Sequence, residues 1–251
     1  MRIVQISDLH LQSDLLSGEI DPWAALAMAL TRLAGLQADA LLISGDIAEA
    51  GDSGSYTRLA SILAGLPLPL ALLPGNHDRR AALFAAFPGH WDNPEMLCRR
   101  LDLGPLTLLL LDSLVPGKPW GEIGNAQLRW LDANCPERRR SIVVLHHPPF
   151  AVGIPGMDGI GCRGGEGLAN WLSQRPQVEA VWCGHVHRPV FTCFAGKMAA
   201  TAPSTVHQIA LQDGALSWTP EPPGLLVHDL LPGSPLRSHY LPLQAAPVIP
   251  Y

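Results

Sequence analysis

Short apolar runs of strand length recur along the first three quarters of the chain: 2–7 (RIVQIS), 40–44 (ALLIS), 68–73 (LPLALL), 106–111 (LTLLLL), 141–145 (SIVVL) and 180–183 (AVWC). None alternates strictly between apolar and polar residues, which is the pattern of strands covered on both faces. Between them, the stretches 22–36, 53–65, 79–87, 125–134 and 165–175 have helical texture. The first opens with Asp21 before Pro22, a cap followed by proline at the first helical position. Strands alternating with helices predict a layered α/β architecture. After about residue 188 the texture changes. The runs 190–195, 198–202, 205–211, 215–219, 224–230 and 237–243 are separated by Gly, Pro and Asp and lack a helical period, so they predict antiparallel strands completing a sheet. Because single α/β domains of about 250 residues are ordinary, one domain over 1–243 with a tail at 244–251 is expected.

Composition narrows the class. With 47% hydrophobic and 16% charged residues the chain has ample material for a buried core, and its 24 glycines and 24 prolines are scattered among apolar runs, which predicts loops rather than disorder. A formal charge of −5 offers no broad basic surface against a polyphosphate backbone, so dedicated nucleic-acid binding is disfavoured and none is expected. The clusters Arg79-Arg80, Arg99-Arg100 and Arg138 to Arg140 read as solvated faces. Five cysteines, an odd number with no C-x-x-C pair, argue against a disulfide framework and fit a reducing cytoplasm. No run reaches the ~18 apolar residues of a membrane span, and Arg2 alone makes no secretory n-region. Neither a membrane partner nor export is expected.

The informative feature is where the polar residues fall. Strand-like runs end in Ser7-Asp8-Leu9-His10, Gly45-Asp46, Gly75-Asn76-His77-Asp78, His146-His147 and Gly184-His185-Val186-His187. In open α/β sheets, sites form beyond the carboxyl ends of strands, so these clusters are expected to converge. Carboxylate, imidazole and amide oxygen suit divalent first-row metals, and the absence of cysteine from all five clusters sets thiolate zinc cages aside. Asp8, His10, Asp46, Asn76, His146, His185 and His187 exceed the needs of one ion and match a two-metal centre with a bridging carboxylate. Gly45, Gly75 and Gly184 precede ligand positions, where a sharp turn benefits from tolerance of positive φ.

D-x-H at 8–10, G-D at 45–46, G-N-H-D at 75–78, H-H-P-P at 146–149 and G-H-x-H at 184–187 resemble, in order, the five blocks of the calcineurin-like metallophosphoesterases. Within that superfamily, H-H-P-P, the stretch Thr201 to Gln208 and the loop around Met157 to Ile160 resemble the bacterial class III cyclic nucleotide phosphodiesterases and glycerophosphodiesterases. The resemblance implies a four-layer α/β/β/α sandwich of two mixed sheets flanked by helices, with the late strands 190–243 completing the second sheet. It implies two divalent or mixed-valence ions (Mn, Fe, Zn or Co). Asp8, His10, Asp46 and His187 would hold one, and Asp46, Asn76, His146 and His185 the other. His147 is read as supporting or structural. His77 would face the substrate, to hydrogen-bond a phosphoryl oxygen or assist the leaving group, Asp78 would orient the His77 ring, and His207 would stand near the mouth as a supporting or substrate-contacting residue.

The expected activity is hydrolysis of a small phosphodiester, of cyclic nucleotide or glycerophosphodiester type, by in-line attack of hydroxide generated at the metal pair. A phosphomonoesterase or a nucleotide-pyrophosphate hydrolase on the same centre is the alternative. A non-catalytic scaffold of this fold is the third reading, disfavoured because no ligand position is missing. A monoester dianion calls for additional cations, and only Arg79, Arg80, Arg163 and Arg188 lie near the motifs. A homo-oligomer is expected from the resemblance and the apolar late strands. His90, His228 and His239 read as ordinary core or surface residues, Trp23, Trp130, Trp171 and Trp182 as core, Trp91 and Trp120 as loop residues, and Cys162 as inert.

Overall fold

The computed structural model describes residues 1–231 and 233–250. In chain order the elements are β1 (Arg2–Ile6), α1 (Pro22–Ala34), β2 (Ala40–Ser44), α2 (Ser53–Leu63), β3 (Leu70–Leu73), α3 (Arg80–Ala86), β4 (Arg99–Leu103), β5 (Leu106–Leu111), β6 (Gly121–Glu122), α4 (Asn125–Asn134), β7 (Arg140–Leu145), α5 (Pro155–Asp158), β8 (Cys162–Arg163), α6 (Gly165–Ser173), β9 (Val178–Cys183), β10 (Val190–Phe194), β11 (Lys197–Thr201), β12 (Gln208–Ile209), β13 (Trp218–Thr219), β14 (Gly224–Asp229) and β15 (Arg237–Pro242). The expected cap is present: the Asp21 side chain accepts from the amides of Trp23 and Ala24, two donors a helix start would otherwise leave open.

Two sheets are stacked face to face, ordered β15-β14-β1-β2-β3 and β10-β11-β9-β7-β5-β4. Three apolar layers follow from the apolar runs. Ile3, Leu42 and Leu73 of the first sheet meet Leu108, Val144 and Trp182 of the second. Val4, Leu41 and Ile43 face outward onto Leu26, Leu33, Tyr56, Leu59 and Leu83 of α1, α2 and α3. Leu109, Val143 and Val181 face outward onto Leu131, Leu168 and Trp171 of α4 and α6. Strands buried on both faces are why the sequence showed no alternation. The result is the four-layer α/β/β/α sandwich.

The late strands depart from the expectation. β10 and β11 do extend the second sheet, but β14 pairs antiparallel with β1 and carries β15 outside it, so this hairpin completes the first sheet. Of the runs 205–211 and 215–219, only Gln208–Ile209 and Trp218–Thr219 form strands, and they make a separate two-stranded ribbon. Arg99 and Arg100 lie on β4, an antiparallel edge strand with no counterpart in the sequence reading; Arg99 donates to the Leu70 carbonyl across the sandwich at 3.0 Å.

A polar chain crosses the inter-sheet layer. The Gln5 amide nitrogen donates to Ser44 Oγ (2.8 Å) and to the Cys183 carbonyl (3.0 Å), while Gln5 Oε1 accepts from His228 Nε2 at 2.9 Å. His228 stacks on Trp182 with ring centroids 3.7 Å apart, and Ser238 Oγ lies 2.7 Å from its Nδ1. Burial pushes His228 down to about 3. Its native pKa therefore lies below the ordinary value near ~6.5. Above that pH the group adds nothing; below it the unfolded chain takes up a proton the native ring refuses, and stability falls as pH drops from about 6.5 toward 3. Unfolding free energies from urea titrations of the protein and of His228→Gln should, below about pH 6 and down to pH 4, differ in slope by up to about 1.4 kcal/mol per pH unit, the variant being shallower. Parallel slopes would contradict this account.

Candidate metal centre

The parallel strands of both sheets deliver their carboxyl ends to one edge of the sandwich. Asp8 and His10 follow β1, Asp46 follows β2, Asn76 and His77 follow β3, His146 follows β7, and His185 and His187 follow β9. The loops are laced together by backbone bonds, Asp8 N to Gly45 O (3.0 Å), His10 N to Asp46 O (3.0 Å) and Gly184 N to His146 O (3.0 Å). Ligand atoms of Asp8, His10, Asp46 and His187 lie within 4.8 Å of one another, as do those of His146, His147 and His185. Asp46 Oδ2 joins the two groups, 3.3 Å from His146 Nε2 and 3.9 Å from His10 Nε2.

Hydrogen bonding fixes which nitrogen of each ring faces inward. His146 donates from Nδ1 to the Ser44 carbonyl (2.8 Å), His187 from Nδ1 to the His207 carbonyl (3.1 Å), His185 from Nε2 to the Ile160 carbonyl (3.0 Å), and His10 from Nδ1 to the Glu49 carboxylate (2.5 Å). In each ring the other nitrogen is left for the site, where it carries a proton or, once that proton is released, the lone pair a metal requires. His10 Nε2 and His187 Nε2 then face each other at 3.0 Å, a contact that needs a shared proton or a metal ion between the two nitrogens. His146 Nε2 and Asn76 Oδ1 are buried without a hydrogen-bond partner. These orphaned atoms, with two buried carboxylates and no thiolate, fit metal ions.

The electrostatics point the same way. Burial opposes charge on His146, yet Asp46 and Asp8 outweigh it and lift the ring to about 9. Asp8 is pushed up to about 6, chiefly by burial. His185 is pushed down to about 3 by burial and by its neighbour His146. The carboxylate pair thus creates a field that demands positive charge, supplied by a proton or a metal.

Backbone strain is concentrated here. Asp8, His10, Asp46, His185 and His187 all have positive φ, between 45° and 71°, a costly region for residues with a side chain. The expected glycine logic holds only at Gly45, whose φ is +101°. Gly75 and Gly184 are required for a different reason: a Cβ at Gly75 would overlap the Asp46 carboxylate, and one at Gly184 would overlap Ser7 Oγ.

Residues 1–189 match the family model for calcineurin-like phosphoesterases. The chain belongs to that family. It is 32% identical to the glycerophosphodiester phosphodiesterase GpdQ of Enterobacter lignolyticus, over 91% of this chain and 86% of that protein. It is also 32% identical to the 3',5'-cyclic adenosine monophosphate phosphodiesterase CpdA of Escherichia coli K12, over 83% of this chain and 77% of that protein. A dimetal phosphatase from Danio rerio superposes with a TM-score of 0.71 at 14% identity, covering 95% of this chain and 98% of that one; at that identity the likeness shows the fold alone.

Around the family's core motifs, two residues, Asp78 and Glu49, play parts that the motifs do not give them. Asp78 does not touch the His77 ring. Its buried carboxylate accepts from the amides of Ile47 (3.1 Å), Ala48 (3.2 Å) and Gly75 (2.8 Å) and from Tyr56 OH (2.8 Å), so it pins the Asp46 loop to the Asn76 loop. Glu49 was overlooked; the sequence offered only a lone acid three residues after G-D, and its contacts with His10 and His77 depend on the fold. His147 is buried with Nδ1 on Ser113 Oγ at 2.9 Å, its ring centroid 4.5 Å from that of His185. His207 does stand at the mouth, 4.8 Å from His187 and 5.6 Å from Trp218 between ring centroids. Burial pushes it down to about 4.

A cavity of about 400 Å³ opens over the centre, its lining including His77, His207, Gln12, Ser17 and Glu49 together with Pro119, Met157, Ile160 and Ile209, of which Met157, Ile160 and Ile209 belong to one apolar cluster. No lysine or arginine lines it. Of the four candidate cations, Arg80 is bidentate to buried Asp112, Arg163 stacks on Trp120, Arg188 pairs with Glu221, and Arg79 is exposed outside the cavity. Among the described residues no helix is long and apolar enough to cross a membrane.

Proposed function

We propose that this protein is a metal-dependent phosphodiesterase acting on a small phosphodiester, with Asp8, His10, Asp46 and His187 holding one ion and Asp46, Asn76, His146 and His185 the other. The observation that carries this reading is the set of four inward-facing imidazole nitrogens around two buried carboxylates. When bound, an ion pair lowers the pKa of water toward ~7 and neutralises the charge of the transferring phosphoryl group. The nitrogen and oxygen donor set suits Mn, Fe, Zn or Co.

The rest falls to the chain's own groups. Asp46 Oδ1 accepts from the His77 amide at 2.9 Å, which ties the His77 loop to the carboxylate shared by both ligand sets. His77 Nδ1 donates to the Glu49 carbonyl at 2.9 Å, leaving Nε2 for the substrate, where it can protonate the departing alkoxide. General acid catalysis of this kind contributes on the order of 10² to 10⁴ in rate. His77→Ala should therefore lose about that factor on an alkyl-leaving diester and much less on bis-p-nitrophenyl phosphate, whose leaving group needs no proton. Equal losses on both would remove the assigned role.

The absence of a cationic side chain from the cavity favours a singly charged diester over a monoester dianion. The apolar cluster of Met157, Ile160 and Ile209 offers surface to a leaving group with a ring, while Gln12, Ser17 and Glu49 offer hydrogen-bonding groups to hydroxyls; a cyclic nucleotide would use both, and a glycerophosphodiester mainly the second. Turnover of metal-loaded protein on bis-p-nitrophenyl phosphate, p-nitrophenyl phosphate, cyclic nucleotides and glycerophosphodiesters tests this. The diester is expected to exceed the monoester by at least about tenfold, and a monoester preference would overturn the reading. Five free cysteines support residence in a reducing cytoplasm.

A further inference from the structure

We infer that Glu49 is a positioning residue for the metal centre, orienting His10 through its carboxylate and His77 through its backbone carbonyl. The inference rests on the proposed ligand role of His10. Glu49 lies on the loop after β2, where its backbone N–H donates a hydrogen bond to the Leu11 carbonyl at 3.1 Å, so its backbone is registered against the segment that carries His10. From there Oε2 reaches His10 Nδ1 at 2.5 Å and stands 3.5 Å from His77 Nδ1, while the carbonyl oxygen accepts from His77 Nδ1 at 2.9 Å. The two imidazoles meet edge to face with centroids 4.8 Å apart. One residue therefore sets the ring plane and tautomer of both.

The chemistry of the two contacts differs. The other three inward histidines are oriented by neutral backbone carbonyls; only His10 is oriented by a carboxylate. A charged acceptor on the outer nitrogen holds the ring in place and makes the inner nitrogen more basic, which strengthens it as a ligand. The His77 contact uses the main chain, so it survives any change of the Glu49 side chain. Removing the side chain should consequently weaken the ion held by His10 and leave the His77 ring where it is. Glu49 is also half-buried at the rim of the cavity, and a small variant leaves no sealed void.

The test is calorimetric titration of the metal-free protein with Mn²⁺ for wild type, Glu49→Ala and Glu49→Gln, alongside the thermal midpoint of each metal-free protein. Wild type is expected to bind in two resolvable steps; absence of metal binding there would sink the proposed function itself rather than this inference. In Glu49→Ala one of the two steps should weaken by about 10- to 100-fold, with the thermal midpoint of the metal-free protein held. Glu49→Gln, whose amide oxygen still accepts from His10 Nδ1 but carries no charge, should recover the part of the loss that comes from ring orientation and fall between alanine and wild type. Two unshifted steps in Glu49→Ala would overturn the inference. Equal weakening of both steps, or a glutamine variant no better than alanine, would overturn it too, because a merely structural residue would give that result.

Discussion

Asp46→Asn is expected to lower diester turnover by on the order of 10³ and to cost the protein at least one of its two ions. The reason is position. Asp46 Oδ2 lies between His146 Nε2 and His10 Nε2, one from each proposed ligand set, so in the proposed assignment its charge would serve both ions. Asparagine is the discriminating replacement because it tolerates the left-handed backbone that Asp46 adopts (φ 48°), and its amide oxygen can still accept from the His77 amide. What it removes is the negative charge. That charge is also what holds His146 up near 9, against the effect of its burial, so loss of affinity should extend to the His146 side. Metal content by elemental analysis and kcat on bis-p-nitrophenyl phosphate check the prediction together. A variant that retains two ions and turns over within tenfold of wild type would show that Asp46 does not bridge.

Much of this arrangement was legible in the sequence because ligand chemistry is carried by residue types placed directly at strand ends. Asp8, His10, Asp46, Asn76, His146, His185 and His187 converge because parallel strands of both sheets point their carboxyl ends the same way, and that is a consequence of strand–helix alternation. What was not legible is whatever depends on contact between loops. Glu49 carries no motif, and its contacts with His10 and His77 exist only once the β1 and β2 loops are laced together. Asp78 is adjacent to His77 in sequence, which suggested a shared task, but the turn at Gly75 sends its carboxylate inward to four donors. The division of the late strands was hidden for a similar reason. Runs 190–202 and 224–243 have the same texture, and only the pairing of Val4 with Val227 and of Ala200 with Trp182 assigns them to different sheets. The short ribbon of Gln208–Ile209 and Trp218–Thr219 shows that apolar runs at a mouth can be drawn out as loop.

Asp78→Ala should destabilise the metal-free protein by about 3–5 kcal/mol, the largest stability effect expected of any single polar substitution at this site. The carboxylate is buried and satisfies three backbone amides and the Tyr56 hydroxyl, and alanine abandons all four donors in a region closed to solvent. The same donors tie the β2 loop to the β3 loop, so the separation of Asp46 from Asn76 depends on them, and metal binding should weaken along with the fold. For a chain of this size the thermal midpoint should fall by roughly 10 °C. Tyr56→Phe removes one hydroxyl donor and leaves the three amides in place, so it should cost only about 1 kcal/mol. Asp78→Asn is the informative intermediate. Its amide oxygen can still accept, but its NH₂ meets an amide N–H where an acceptor stood, so it should rank nearer alanine than wild type. If instead Asp78→Asn were as stable as wild type and lost only the leaving-group sensitivity that His77 provides, Asp78 would have to be returned to a role at the His77 ring.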